Sequence, residues 1–148
     1  IAKKLGGKYR LLHIPDNIKE ENINHILTEP SIQKTLDTLK KADILLHGVG
    51  SASKMAKRRN VSKARIKELV AKGAIGESFG YYFNRKGEIV HSTTSVGMNL
   101  KDLKNIDKVI AVAAGKEKAE AIIAAVSPDY QDVLITDEKA AREILKFS

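Results

Sequence analysis

The sequence predicts an α/β domain in which a mostly parallel sheet is flanked by helices and interrupted by an inserted β-hairpin. Three apolar runs, 43–47, 107–113 and 133–136, each lead into a turn and then into a helical pattern. Repeated strand–turn–helix units are typical of right-handed parallel crossovers. Residues 78–91 differ, since they combine aromatic side chains with a turn at 85–87, which is typical of an antiparallel hairpin. A chain of 148 residues is long enough for one domain with a buried core.

The first forty residues predict a strand followed by two helices. Residues 8–14 (KYRLLHI) lie between a double-glycine turn and a proline, which is typical of a short strand. A helical pattern follows, which Asp16 or Asn17 would cap, and Pro30 suits the first turn of a second helix. The apolar positions with helical spacing in these two helices are Ile23, Ile26, Leu27, Ile32, Leu36 and Leu39.

The middle of the chain predicts a buried strand and two helices. Residues 43–47 have the continuous apolar character of a strand buried in a parallel sheet. Residues 53–59 form a short helix or a turn. Ser62 is a good N-cap for the next helix, and Gly73 is well placed just beyond its end. The predicted buried stripe of that helix is Ile66, Leu69 and Val70.

The last third of the chain repeats the strand–turn–helix unit twice. The second buried strand, 107–113, leads through a turn at 114–116 into a helix, and the third, 133–136, leads into a helix that Asp137 caps. The residues predicted to face the core are Ala119, Ile122, Ile123 and Val126 in the first of these helices and Ala140, Ala141, Ile144 and Leu145 in the second.

The composition narrows the class of protein. Hydrophobic residues make up 43% and charged residues 30% of the chain, as in ordinary soluble domains. Cysteine is absent, which excludes disulfides, Cys-ligated zinc and thiol nucleophiles. No apolar run approaches the ~18 residues that span a bilayer, and the chain does not start with a signal-peptide pattern. We therefore expect a cytoplasmic protein with no membrane partner.

The net charge of +8 is concentrated in one segment. Residues 54–72 contain eight basic side chains and one acidic side chain, whereas the remainder of the chain is nearly balanced. Such a cluster suits a solvated helix face, a polyphosphorylated small ligand or a nucleic acid.

Two glycine turns predict a site for phosphate groups. Gly48-Val49-Gly50 ends the first parallel strand, but it lacks the remaining features of a dinucleotide fingerprint and of a P-loop. In the second turn, 114–118, Lys118 is better placed than Lys116 to point into the crevice. Phosphate held at a helix N-terminus receives backbone N–H bonds and an ammonium group together. Arg58 and Arg59 lie shortly after the first turn and could bind a second phosphate through two N–H groups.

The sequence predicts neither a metal site nor a catalytic residue. His13, His25, His47 and His91 lack metal-ligand spacing, and no serine nucleophile elbow is present. Glu77 lies between Gly76 and the hairpin, where it could bind sugar hydroxyls or act as a base; we favour the hydroxyl role.

Several segments, in their order along the chain, resemble the C-terminal sugar-binding domain of SorC-type transcriptional repressors. The resemblance extends from about Leu5 to Leu145. The segments are 43–50 (DILLHGVG), 55–59 (MAKRR), 79–83 (FGYYF), 112–115 (VAAG) with 118–122 (KAEAI), and 134–138 (LITDE).

The resemblance implies a Rossmann-like fold, similar to that of sugar-phosphate isomerases and deaminases, which acts as a sensor and not as an enzyme. A phosphorylated sugar would bind in the crevice and change how the repressor oligomer holds its operator. In the glycolytic subgroup the implied ligand is fructose 1,6-bisphosphate, and no cofactor is implied. We expect residues 1–148 to be part of a single effector-binding domain in a homo-oligomer. A DNA-binding winged helix and an earlier phosphate-binding loop would lie upstream of Ile1.

The resemblance also implies the binding residues. Arg58 or Arg59 matches a phosphate-binding arginine, Lys118 matches a lysine on the other phosphate-binding turn, and Glu77 matches an acid that contacts the sugar. Ser51 stands where relatives often have an acid, and Ala114 where they often have glycine. The predicted ligand-binding residues are Gly48, Gly50, Ser51, Arg58, Arg59, Glu77, Gly115 and Lys118.

Two other functions remain open from the residues. One is a sugar-phosphate isomerase or deaminase of the same fold, with Glu77 as the base. The other is direct nucleic-acid binding through residues 54–72, although the basic side chains of this segment surround the helix instead of forming one face.

Overall fold

The computed structural model describes residues 1–14, 18, 20–93 and 96–147. In this part of the chain, β1, β6 and β7 form a parallel sheet in the order β1-β6-β7, and the remaining strands form an antiparallel sheet in the order β2-β3-β4-β5. The strands are β1 (Ile44–Gly48), β2 (Gly50–Ser51), β3 (Gly76–Ser78), β4 (Tyr81–Phe83), β5 (Ile89–Ser92), β6 (Lys108–Val112) and β7 (Val133–Ile135). The helices are α1 (Glu20–Thr28), α2 (Pro30–Lys40), α3 (Ala52–Arg58), α4 (Lys63–Ala71), α5 (Ala119–Val126) and α6 (Glu138–Ile144). Short 3-10 turns span Ala2–Leu5, Asp102–Asn105 and Lys116–Lys118.

The parallel sheet confirms the predicted fold class and is supported by helices on one face. Leu45 pairs with Val109, and Ala111 pairs with Leu134, so the core side chains of the strands lie in register. The other face is open: Ile44 is 63% exposed, Leu46 53% and Ile135 51%. The prediction of a buried first strand is therefore wrong for every second residue, because those side chains lie on the exposed face of the sheet.

Small side chains let α5 lie close to both sheets. Ala121, Ala124, Ala125 and Ile122 of this helix are buried in one cluster that also contains Val109 of β6 and Phe83 of β4. A Cβ at Gly76 of β3 would lie only 2.6 Å from the Ala121 carbonyl oxygen, so this strand can approach the helix only with glycine at that position. Ile123, predicted to face the core, is only half-buried.

The predicted hairpin is confirmed by β4 and β5, but it belongs to a larger sheet. Its turn includes Gly87 at a φ of +79°. Ser78 lies in β3, which is separated from β4 by a tight turn with Phe79 at φ +55° and Gly80 at +84°. The buried Glu77 carboxylate accepts the Gly80 N–H at 2.7 Å and stabilises that turn. A single strand over 78–84 is therefore wrong.

The predicted strand at 8–14 is also wrong, since the structure shows no strand there. The Arg10 guanidinium donates to the Lys34 carbonyl at 3.2 Å and to Thr38 Oγ1 at 2.7 Å, so the segment lies along α2 instead of pairing with a strand. The two predicted helices are confirmed as α1 and α2, with Pro30 in the first turn of α2. The predicted caps Asp16 and Asn17 lie outside the described residues.

The predicted N-caps of the remaining helices are confirmed, but two residues that were predicted to face the core are exposed. Ser62 Oγ accepts the Arg65 N–H, and an Asp137 oxygen accepts the Ala140 N–H. Val70 and Leu145 are largely exposed, because only a narrow face of α4 and of α6 contacts the core. No helix within the described ranges is both long and apolar enough to cross a membrane.

Candidate functional site

A cleft of about 450 Å³ lies where the chain leaves the parallel sheet and enters the antiparallel one. Val49 links the carboxyl end of β1 to β2, and crevices at the carboxyl ends of parallel strands are the usual ligand sites of α/β domains. The predicted residues that line it are Gly48, Gly50, Ser51, Arg58, Arg59, Glu77 and Lys118. The structure thus brings these residues together, and their binding of a ligand stays a prediction.

Gly115 is the predicted residue that does not line this cleft. It has a φ of +104°, and its N–H lies 3.2 Å from both carboxylate oxygens of Asp137. The hydrogen bond from the Ala140 N–H, followed by that from the Gly115 N–H, lowers the pKa of Asp137. Gly115 therefore shapes the second turn, while its N–H is already occupied by the cap of α6.

Two larger clefts fit the predicted chemistry less well. One of about 530 Å³ includes Val109 and Asp132, at the amino ends of β6 and β7. The other, of about 610 Å³, lies between the 9–13 segment and α2. Neither contains a glycine turn at a strand's carboxyl end, which is the feature that suits phosphate binding.

The two neighbouring arginines have different environments. An Arg59 guanidinium nitrogen lies 2.9 Å from Glu77 Oε1, and a second donates to Thr93 Oγ1 at 3.1 Å. Glu77 is buried, and the Arg59 side chain is only 24% exposed. Arg58 is exposed and makes no hydrogen bond or ion pair with another described residue. Arg59 is thus committed to neutralising Glu77, whereas Arg58 is free to bind an anion.

Glu77 retains one oxygen for further contacts. Its Oε1 accepts from Arg59 and from the Gly80 N–H, while Oε2 makes no hydrogen bond within the described part of the chain. A carboxylate oxygen only accepts hydrogen bonds, so Oε2 suits a hydroxyl donor.

Lys118 extends from the turn before α5 into the cleft. Its ammonium group donates to the Val49 carbonyl at 3.2 Å. Lys116 instead lies 3.6 Å from Glu143, so the structure places Lys118 and not Lys116 at the cleft. Lys54 is also at the cleft, and its 3.9 Å pair with Glu117 is weak because both side chains are mostly exposed.

His47 also lines the cleft, although it is not among the predicted ligand-binding residues. Its Nδ1 lies 2.9 Å from Ser78 Oγ, and its ring lies 4.3 Å from that of Phe79. Burial lowers the pKa of His47, against the opposing effect of a hydrogen bond with the Gly48 carbonyl. His47 Nε2 and Ser51 Oγ are buried without a partner among the described residues. The sequence does contain one cue for His47, which is its position directly before the Gly48-Val49-Gly50 turn.

The remaining lining residues were also not predicted. They are Val49, Lys54, Met55, Phe79 and Val112. A Cβ at Gly50 would lie 2.4 Å from Met55 Cγ, so Gly50 makes room for that side chain, whereas Gly48 leaves its backbone open. Among the described residues, no cluster of His, Asp or Glu is arranged to hold a metal ion.

Comparison with known proteins identifies the family. Residues 1–146 match the family model Sugar-bind, a sugar-binding domain. The central glycolytic genes regulator of Priestia megaterium is 45% identical over 146 residues, and that of Bacillus subtilis 44%; each match covers 99% of this chain and 43% of the relative. The chain therefore spans less than half the length of these relatives.

Solved structures agree with this match. The crystal structure of a protein assigned to the SorC family of transcriptional regulators, from Enterococcus faecalis, has 43% sequence identity and a TM-score of 0.89; the match covers 97% of this chain and 59% of that one. The predicted resemblance is thereby confirmed. The chain belongs to the sugar-binding domain family found in SorC-type regulators.

Proposed function

We propose that this chain is the effector-binding part of a cytoplasmic bacterial transcriptional repressor and that it binds a phosphorylated sugar without converting it. One observation carries this proposal: a single cleft contains two cations from separate elements, Arg58 and Lys118, beside the free Oε2 of Glu77. The names of the similar regulators support a transcriptional role. Among phosphorylated sugars, fructose 1,6-bisphosphate fits best, because it presents two phosphates with hydroxyls between them.

Each group in the cleft has a distinct role in this proposal. Arg58 binds one phosphate through two N–H groups, and Lys118 binds the other as a point charge. Glu77 Oε2 accepts from the sugar hydroxyls, while Gly48 allows close backbone approach. The volume of about 450 Å³ suits a ligand of this size.

Ligand binding also offers a route to regulation. Lys118 must exchange its contact with the Val49 carbonyl for a phosphate, and this changes how the turn before α5 is held against β1 and β2. A ligand can shift an oligomer between two arrangements only if it favours one of them. We infer that the DNA-binding winged helix, the subunit contacts and an earlier phosphate-binding loop lie in the longer protein.

An isomerase or deaminase activity has less support. The relatives at 44–45% identity are transcriptional regulators, and the free Oε2 of Glu77 can accept a hydroxyl hydrogen bond without taking up a proton. Measured aldose–ketose exchange above background, abolished in Glu77→Gln, would favour the enzyme instead.

Direct nucleic-acid binding through residues 54–72 is also less favoured. Arg65 and Lys72 of this segment are paired with Glu68 at 2.5 and 2.9 Å. Their hydrogen bonds lower the pKa of Glu68 to about 2. Duplex binding with a steep salt dependence, lost on replacing Lys63, Arg65 and Lys67, would support this alternative.

Thermal-shift titration tests the proposal. We expect fructose 1,6-bisphosphate to raise the Tm saturably and more than fructose 6-phosphate, glucose 6-phosphate, phosphate or sulfate. At a hundredfold excess over Kd, the stabilisation is about 2.7 kcal/mol. Arg58→Ala should remove most of this effect, whereas Lys63→Ala removes an equal charge outside the cleft and should leave it unchanged. An equal response to every anion would contradict the proposal.

A further inference from the structure

The contacts of His47 favour one tautomer of its ring, because Nδ1 also lies 3.3 Å from the Gly48 carbonyl oxygen. Ser78 Oγ donates to the Gly48 carbonyl at 3.2 Å, and the same oxygen lies 2.9 Å from His47 Nδ1. A hydroxyl that donates to a carbonyl is left as an acceptor, so His47 Nδ1 carries the hydrogen. Nε2 is then an unprotonated acceptor.

That acceptor is buried and has no partner among the described residues. A buried polar atom without a hydrogen bond is costly, and such atoms in binding sites are commonly satisfied by ligand or water. His47 lines the same cleft as Glu77, whose Oε2 is likewise an acceptor without a partner. Two unused acceptors in one cleft call for a ligand with hydroxyl donors.

Burial favours the neutral form of His47, because it lowers the pKa of the imidazole. The charged groups around the cleft are Lys54 and Arg58 of α3, Arg59 after it, Glu77 of β3 and Lys118 before α5. Glu77 is paired with Arg59, so no unpaired carboxylate at the cleft favours an imidazolium.

We propose that His47 is a specificity-determining residue whose Nε2 accepts a hydrogen bond from a ligand hydroxyl, with Ser78 as the residue that positions its ring. This inference rests on the proposed function and deepens it: Arg58 and Lys118 recognise the charge of the ligand, and His47 recognises it as a polyol.

The test is calorimetric titration of this chain with fructose 1,6-bisphosphate at pH 8. His47→Leu should weaken binding roughly tenfold, the effect of losing one buried hydrogen bond. His91→Gln replaces a histidine outside the cleft and should match wild type.

Nitrogen NMR of the imidazole rings provides a readout that does not need the variant to fold. In wild type, the Nδ1–H tautomer should persist on saturation with the bisphosphate while the Nε2 resonance shifts. Ser78→Ala should allow the other tautomer and weaken binding at pH 8.

The outcomes separate the two proposals. Equal binding of the bisphosphate by wild type and His47→Leu at pH 8 overturns this inference alone, as does protonation of both ring nitrogens on saturation. Failure of wild type to bind any sugar phosphate overturns the proposed function and this inference with it. Sulfate, which has no hydroxyl, should raise the Tm of wild type and His47→Leu equally, and a smaller shift for the variant would contradict the hydroxyl role.

Discussion

Truncation of Arg59 should destabilise the chain, whereas truncation of Arg58 should not. Arg59→Ala leaves the buried Glu77 carboxylate without its counter-charge and removes the hydrogen bond to Thr93. Breaking a fully buried ion pair costs about 3–5 kcal/mol, and the partial exposure of Arg59 reduces this to about 2–3 kcal/mol. For a domain of this size, that loss lowers the Tm by about 5–10 °C. Arg58→Ala should stay within about 0.5 kcal/mol of wild type.

Urea and thermal unfolding of both variants without ligand measure these differences. Glu77→Gln is the matched control, because it removes the negative charge while keeping an acceptor for the Gly80 N–H. In the double variant Arg59→Ala/Glu77→Gln, part of the lost stability should return, since no unpaired carboxylate remains buried. The reasoning is refuted if Arg58→Ala destabilises the chain as much as Arg59→Ala, or if Arg59→Ala has no effect.

Two further predictions concern packing and pH. Gly76→Ala should lower the free energy of unfolding by about 1–3 kcal/mol, because its Cβ meets the backbone of α5; Gly97→Ala, with nothing within 4 Å, should be nearly neutral in the same urea titration. Burial lowers the pKa of His47 and of His91, where Arg65 and Lys72 add to the effect. The unfolded chain then binds more protons below pH 6.5, so stability should be intact above this pH and fall as the pH drops through the lower folded pKa values. Replacing both histidines with glutamine should reduce that slope, and an unchanged pH profile would contradict the assignment.

The parallel sheet could be predicted because the pattern of a strand that leads into a helix lies within a few consecutive residues. Residues 44–48, 108–112 and 133–135 are apolar runs ended by glycine or a capping residue, which are strong cues for strands leading into helices. The strand at 8–14 carried a similar pattern, but it lies along α2 through Arg10. Whether an alternating apolar segment pairs with a strand depends on distant residues, and no local pattern shows this.

The residues that line the cleft were predicted in part for the same reason. Glycines and basic residues near strand ends indicate phosphate sites, and seven of the eight predicted residues line one cleft. The environment of His47 could not be predicted from the sequence, since its Nδ1 contacts Ser78, which is 31 residues away. The engagement of the Gly115 N–H by Asp137 is likewise a contact between distant residues.

The environments of Arg58 and Arg59 show how stability and binding are separated in this cleft. Adjacent residues at the end of a helix point in different directions, so one guanidinium reaches the buried Glu77 while its neighbour faces solvent. Arg59 cancels the negative charge that would otherwise repel a phosphate, and the cations without a buried partner, Lys54 and Arg58, give the cleft its positive potential together with Lys118. If the cleft binds an anion as proposed, a change at Arg58 should alter affinity with little effect on folding, whereas a change at Arg59 should alter both.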